Sequence, residues 1–426
     1  MPTPDSIRIL TVIVPIALLA MGIRRPVYAV IAYMILVICK VASYYPAFAA
    51  MKGELVLALL ILCWLFVSSD FATKLSLKYD RVNKYLFCFV LCVFLSYSIA
   101  WDHKYSWDNA VYHFIKVLFL YVMILPTLCT KQDLKIFVWS FVMMFVYLAY
   151  EPFYGFMSGT GGSNQMYGTN YISEAGILSG HVALANNMNQ MIPIAFFLFL
   201  SVREKRSKIL AIIPLLIFIT ALIGSGSRGG VVGFIVFCSL VVFFSENRLR
   251  NAVVVAVAVV LLFAGTETFK STASRIDESQ TKGRLTGLTH GIGILRKGNI
   301  LGVGPGCFLF ARGKYFSFAM ESHNIYGQVI GDLGVPGTAA WFFLIRQIFL
   351  NLISSKRRLK SLSRENGFLY KLAVGLQISL IVRLFVSLGS HGLYYFYWYI
   401  IAALSIAISK LIETMAENKP ESVVVT

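Results

Sequence analysis

Six features of this sequence carry residue types able to do chemistry. The first is the turn Gly224-Ser225-Gly226-Ser227-Arg228-Gly229-Gly230, between two apolar runs. Glycines let a ligand approach the backbone, and successive exposed N–H groups cradle anions. The helix that follows adds the positive end of its dipole. Arg228 adds a forked cation matched to phosphate oxygens. The same residues also suit a tight interhelical turn whose arginine snorkels to lipid headgroups. The second is Gly283-Arg284-Leu285, which is expected to open an amphipathic helix. A cation at a helix start opposes the dipole, so helix stability does not explain it; an ordinary solvated loop charge does.

The third is Gly302-Val303-Gly304-Pro305-Gly306-Cys307-Phe308. No strand–helix context surrounds it and no Lys-Ser/Thr pair follows, so a nucleotide P-loop is rejected. The fourth is Glu321-Ser322-His323-Asn324, just before a helix. An imidazole near its ordinary pKa takes a proton from an attacking hydroxyl, with Glu321 or Asn324 orienting it. Alternatively Ser322 or Asn324 caps the helix and His323 is a bystander. The fifth is a set of ionisable residues within apolar runs, His113, Lys116, Arg346 and Arg383. A charge at the bilayer centre costs about 2.5–3.5 kcal/mol on insertion scales, so such groups face cavities or partners. Lys116 and Arg383 suit an anion pocket, whereas Arg346 suits snorkelling. Glu151, near a span end, is the one intramembrane acid expected, which biases the ligand toward an anion. The sixth is the run His181-Val182-Ala183-Leu184-Ala185-Asn186-Asn187-Met188-Asn189-Gln190. Its amides suit sugar hydroxyls or interhelical hydrogen bonds equally. Tyr167 and Tyr171 offer a stacking wall for a glycan.

The elements that must position these residues follow from composition. Of 426 residues 58% are hydrophobic and 14% charged, with mean hydropathy +0.73. A soluble globule cannot hide that much apolar surface, so the chain reads as an all-α polytopic membrane protein. Apolar runs fall near 9–22, 26–39, 53–69, 85–101, 110–129, 136–152, 182–201, 209–224, 230–245, 252–265, 335–354, 368–388 and 392–409. They make about 12 or 13 transmembrane helices. The two short runs in 9–39, split by Arg24-Arg25-Pro26, form the least certain pair of spans.

The net charge of +18 lies mostly in short loops and so reports orientation rather than nucleic-acid binding. Basic clusters at Lys74–Lys84, Lys131–Lys135, Arg203–Lys208, Arg248–Arg250 and Lys356–Arg364 mark cytoplasmic loops. The intervening turns face outward, as does the long stretch 266–334. Residues 1–265 then form an N-terminal bundle and 266–334 a periplasmic loop module. C-terminal spans occupy 335–409, and a cytoplasmic tail 410–426. Within the module, Leu285, Leu288, Ile292 and Leu295 recur at helical spacing, with Arg284 and His290 off that stripe. The seven cysteines show neither metal nor disulfide spacing. No cleavable signal peptide and no internal repeat is evident.

In this order and with this hydropathy layout, the motifs resemble the O-antigen ligase/polymerase superfamily. The resemblance rests on Ser227–Gly230, on Gly283-Arg284, on Gly302-x-Gly304-x-Gly306-x-Phe308, on Ser322-His323-Asn324 and on Leu333-Gly334-x-x-Gly337. Ser106-Trp107 followed by Lys116 is similar, more loosely, to the exosortase-associated ligase branch. Gly287, His290 and Gly291 depart from the larger or apolar residues of relatives and bear on the rigidity of that helix.

The resemblance implies a bacterial inner-membrane glycosyltransferase with its site facing the periplasm. It would move a glycan from undecaprenyl diphosphate by an inverting, metal-independent transfer with no cofactor. Arg228, Arg284 and Lys116, with Ser227, would grip the donor diphosphate. His323 would act on the acceptor hydroxyl, and His181, Asn187, Asn189 and Asn324 would bind glycan or acceptor. The physical reading agrees, since preorganised cations stabilise the charge that develops on a departing diphosphate. The sequence also lacks an Asp-x-Asp pair to hold a divalent metal. The expected acceptor is a lipid A–core sugar, which makes the chain an O-antigen ligase. A polysaccharide polymerase and a protein O-glycosylating ligase share the donor. A flippase or transporter would show internal symmetry, which is not seen.

Overall fold

The computed structural model describes residues 9–67, 80–157, 181–244, 278–362 and 367–417; side chains at 43, 151–157, 181 and 278–285 fall outside that description. The described residues are helical, with no strand. The helices are α1 (Leu10–Gly22), α2 (Pro26–Ile38), α3 (Gly53–Val67), α4 (Arg81–Ser98), α5 (Tyr112–Thr127), α6 (Lys131–Met157) and α7 (His181–Ser201). They continue as α8 (Lys205–Gly224), α9 (Arg228–Phe243), α10 (Glu278–Arg296), α11 (Phe308–Phe316), α12 (Ile325–Ser361), α13 (Phe368–Val386) and α14 (Phe396–Glu417).

Seven helices among the described residues are long and apolar enough to cross a membrane, and four more are apolar but shorter. The chain is thus an all-α polytopic membrane protein. The two short runs in 9–39 form antiparallel helices of 13 residues each, about 20 Å long at 1.5 Å per residue. Pro26 starts α2, and the two meet so closely that a Cβ on Gly22 would lie 2.8 Å from that of Ala29. The expected span at 252–265 lies outside the described residues, as do Tyr167, Tyr171 and the basic residues of 74–78 and 248–250.

The core runs through α2 to α9 and α12 to α14, whose facing aliphatic and aromatic side chains form one continuous cluster. α12 runs from Ile325 to Ser361 with a kink at Gly334, which has φ 62 and ψ −156, and Pro336 follows. The glycine absorbs a bend that no other residue adopts readily. α14 extends to Glu417.

The outer module departs from expectation in α10. The helix begins at Glu278, so Arg284 lies in its second turn and the argument from an opposed dipole falls away. The buried face is Gly287–Gly291–Ile294, and Leu288, Ile292 and Leu295 of the expected stripe are only half-buried. A Cβ on Gly287 would lie 2.0 Å from the Ser322 carbonyl oxygen, and one on Gly291 would lie 2.5 Å from that of Gly327. Small residues let two backbones touch, which larger residues at 287 and 291 would prevent. The glycines therefore fix α10 against the start of α12. Position 284, one turn before Gly287, lies on this seam face.

Candidate functional site at one end of the bundle

Each site segment is locally determined. Ser227 caps α9, its hydroxyl accepting from the Gly230 amide at 3.2 Å, so Arg228 is the first helical residue. Ser227 is thus engaged as a helix cap. Asn324 caps α12, its Oδ1 accepting from the Tyr326 and Gly327 amides at 3.0 and 3.1 Å. Its Nδ2 donates to the Leu388 carbonyl at 2.9 Å. The capping role weighed for Asn324 is therefore real and uses its carbonyl oxygen, while one N–H of its amide ties it to α13's end. His323, immediately before the cap, has φ 47, a left-handed backbone uncommon for histidine.

Three segments converge on the end of α13. The α9 start packs there, because a Cβ on Gly233 would lie 2.5 Å from Val386 Cγ1 and 2.6 Å from Asn189 Nδ2. Asn189 Nδ2 also donates to the Gly230 carbonyl at 2.9 Å, joining α7 to α9. The α12 start reaches the same end through the Asn324–Leu388 bond. The His323 and His391 rings lie 5.2 Å apart. α10 packs on the Ser387–Gly389 turn as well. Arg228 and His323 are thus brought to one end of one helix. The backbone of Arg284 joins them on the α10 seam, and its side chain lies outside the described residues, as does that of His181. Asn187 bonds to the Ala183 carbonyl of its own helix at 2.8 Å.

Around this convergence several buried polar atoms have no hydrogen-bond partner among the described residues: Asn189 Oδ1, Arg383 Nε, Ser387 Oγ and His391 Nδ1. Arg383 is 4% exposed. Its guanidinium lies 5.5 Å from the Trp398 ring centre, with no carboxylate bonded to it among the described residues. Buried polar groups normally find partners, so a group of unpartnered ones marks a place where a ligand or water completes the bonding. His391 is missing from the sequence reading, and its only sequence signal is a histidine after Gly389-Ser390 at the end of an apolar run. Burial pushes its imidazole down to about 4, helped by His323 and Arg383, so it is neutral at pH 7.

The glycine loop at 302–306 has a different use. Gly302, Gly304 and Gly306 have φ 86, 104 and 74. The Asp332 carboxylate accepts from the Gly306 and Phe308 amides, each at 3.0 Å, and from the Tyr394 hydroxyl at 3.1 Å. The loop is an anion-binding nest already filled by the protein's own carboxylate. Beside it, Arg312 is 1% exposed. It donates to His290 Nδ1 at 2.9 Å and to the Glu321 carbonyl at 2.9 Å, pinning α11 to α10 and to the residues before His323. His290 also stacks on Phe316 at 4.0 Å. Burial raises the Glu321 carboxyl pKa against a lowering hydrogen bond from Tyr105.

Lys116 stands apart. Its ammonium is 2.6 Å from Glu54, and the two line a cavity that neither Arg228 nor His323 lines. Glu54 and Asp332 are 3% and 0% exposed, which corrects the expectation of a single intramembrane acid at Glu151. Each is held inside by partners distant in sequence. Arg346 is exposed on α12, as snorkelling requires.

The described residues thus form a polytopic helical membrane protein in which Arg228 and His323 lie on segments that both pack toward the end of α13. Residues 213–342 match the family described as O-Antigen ligase. The match takes in Arg228, Arg284 and His323 and supports the O-antigen ligase-like superfamily, whose members are glycosyltransferase-like ligases and polymerases. No curated protein matches the chain.

Proposed function

We propose that the chain is an O-antigen ligase of the bacterial inner membrane, working at the periplasmic face. It transfers a preassembled glycan from undecaprenyl diphosphate to a lipid A–core sugar hydroxyl. The observation that carries this reading is the shared docking of the Arg228 and His323 segments on the end of α13, inside a region matching the ligase family.

In the reaction the acceptor oxygen bonds to the anomeric carbon as the bond to the diphosphate oxygen breaks on the opposite side. The hydroxyl proton passes to His323, and undecaprenyl diphosphate leaves with the bonding electron pair. Arg228 and Arg284 hold the diphosphate, where preorganised donors are worth about 10²–10³ in rate each. Their fixed charge takes the part a divalent cation plays in many nucleotide-sugar transferases. Lys116, neutralised by Glu54, is not assigned to that grip.

The test is incubation of the purified chain with lipid-linked glycan, with and without lipid A–core. Transfer that requires core supports the ligase. Lengthening of the lipid-linked chain without core refutes it in favour of a polymerase, and glycan on neither product refutes glycosyl transfer.

A further inference from the structure

The cavity beside Lys116 measures about 270 Å³ and is lined by Lys40, Lys52, Glu54, His113 and Lys116, with Phe48 and Tyr112 as apolar walls. Glu54 and Lys116 neutralise each other at 2.6 Å. Lys40 and Lys52 have no ion pair among the described residues, so two positive charges in the cavity are unbalanced. Both have left-handed backbone, with φ 48 each. Each closes the turn after a helix, α2 for Lys40 and Pro46–Ala50 for Lys52, which fixes where its side chain leaves the backbone.

The location adds a second argument. The cavity lies at the same end of the bundle as the outer module. Shortly before Tyr112, Ala110 faces Gly306, and the Asp102 carbonyl accepts from Cys307. The cytoplasmic basic loops gather at the opposite end, where Arg25 pairs with Asp133 at the start of α6. Lysines on the outer side run against the topological charge bias, so their retention there calls for a counter-charge. The short helix Pro46–Ala50 beside the cavity has no buried residue, and the flanking Tyr45 and Met51 are exposed. It presents an apolar edge suited to acyl chains.

We propose that this cavity binds a phosphomonoester group, with the ammonium groups of Lys40 and Lys52 as its ligands. Its size is at the small end for ligand pockets, which run from about 300 to 1,000 Å³, and admits a headgroup rather than a glycan chain. The group arrives on a lipid or as free phosphate. The site is independent of the glycosyl-transfer reading and stands if that reading fails.

The test uses the full chain in phosphatidylcholine nanodiscs, compared with the Lys40→Gln/Lys52→Gln variant, which keeps the Glu54–Lys116 pair. One arm adds inorganic phosphate and follows the thermal midpoint. The other includes phosphatidic acid and counts retained lipid by native mass spectrometry. A phosphate-dependent rise in the wild type that the variant lacks identifies free phosphate. Phosphatidic acid retained at least tenfold better by the wild type, with no response to free phosphate, identifies the lipid. Equal retention by both proteins, or binding by neither, overturns the proposal. Should the double variant unfold, Lys52→Gln alone is read in the same way, because Lys52 is exposed.

Discussion

The substitution Gly287→Ala tests whether the seam between α10 and α12 sets the geometry of the site. The added Cβ would lie 2.0 Å from the Ser322 carbonyl oxygen, where ordinary contact begins at 3.4 Å. That oxygen is backbone, so no rotamer change relieves the clash. The seam must open by about 1.4 Å, the difference between those distances. Ser322 is joined directly to His323, and position 284 lies one turn before 287 on α10. The opening therefore separates the proposed acceptor base from one proposed diphosphate ligand. A misplacement of about 1 Å costs roughly 10²-fold in rate when the groups belong to one reacting constellation. Overpacking costs about 1–3 kcal/mol of stability, which a bundle of this size tolerates. The expected result is a loss of transfer of roughly 100-fold with a folded, membrane-inserted protein, measured as initial rate on lipid-linked glycan and core. Gly298→Ala is the control. Gly298 has φ +93 but nothing within 4 Å, so it adds backbone strain of about 1 kcal/mol and no clash. It should retain transfer within about twofold. A Gly287→Ala protein transferring within about threefold of wild type would refute the seam as the positioning device.

Other perturbations read other parts of the structure. Arg228→Ala and His323→Ala should each abolish glycan capping in a complementation assay at normal expression, with Arg228→Ala losing about 10²–10³ in rate in vitro; full activity in both removes the assignment. Removing one partner of the buried Glu54–Lys116 pair should destabilise the fold by about 3–5 kcal/mol. Glu54→Leu with Lys116→Met should recover most of that, as read by thermal unfolding in detergent. Asp332→Ala leaves two amides and a tyrosine hydroxyl without their acceptor. It should cost several kcal/mol at about 1–3 per unsatisfied group and expose the 302–308 loop to protease before the rest of the chain. For His391, the native pKa of about 4 lies below the ordinary 6.5. The unfolded chain therefore binds a proton between those values while the native chain does not. Stability is full above pH 6.5 and falls as pH drops toward 4, by at most about 3 kcal/mol. His391→Phe should flatten that slope of the thermal midpoint against pH.

What the sequence disclosed is what depends on neighbours along the chain. Helices and their breaks follow from hydropathy, from Pro26 and from the Ser227 and Asn324 caps, all interactions within a few residues. The polytopic class and the places of Arg228 and His323 at helix starts were legible for that reason. The buried face of α10 was not, because Gly287 and Gly291 pack by backbone approach and leave no hydrophobic signal. The leucine stripe carried the signal instead, and its members Leu288, Ile292 and Leu295 are half-buried. Asp332 was invisible as the filler of the glycine loop, since its amide partners at 306 and 308 precede it by a helical turn-and-loop path that no periodicity encodes. Glu54 and Lys116, 62 residues apart, pair only once α3 and α5 meet. Arg312 and His391 belong to the same class of contact.

These long-range contacts also explain how a mouth rich in anion-binding features can select one anion. Two groups at this end that suit an anion are already engaged by the protein's own carboxylates. The glycine nest holds the Asp332 carboxylate, and Lys116 holds Glu54. A cation or nest so engaged fixes structure and offers little net attraction of its own to a further anion. Arg228 has no ion pair among the described residues, and Arg383 sits under His391 with an unpartnered Nε. Positive charge without a paired carboxylate among the described residues then remains at Arg228 and Arg383, toward the end of α13, and at Lys40 and Lys52 beside the Glu54–Lys116 pair. Internal carboxylates thus narrow a strongly basic chain to a few places where the proposed diphosphate and phosphate ligands would gain electrostatic stabilisation.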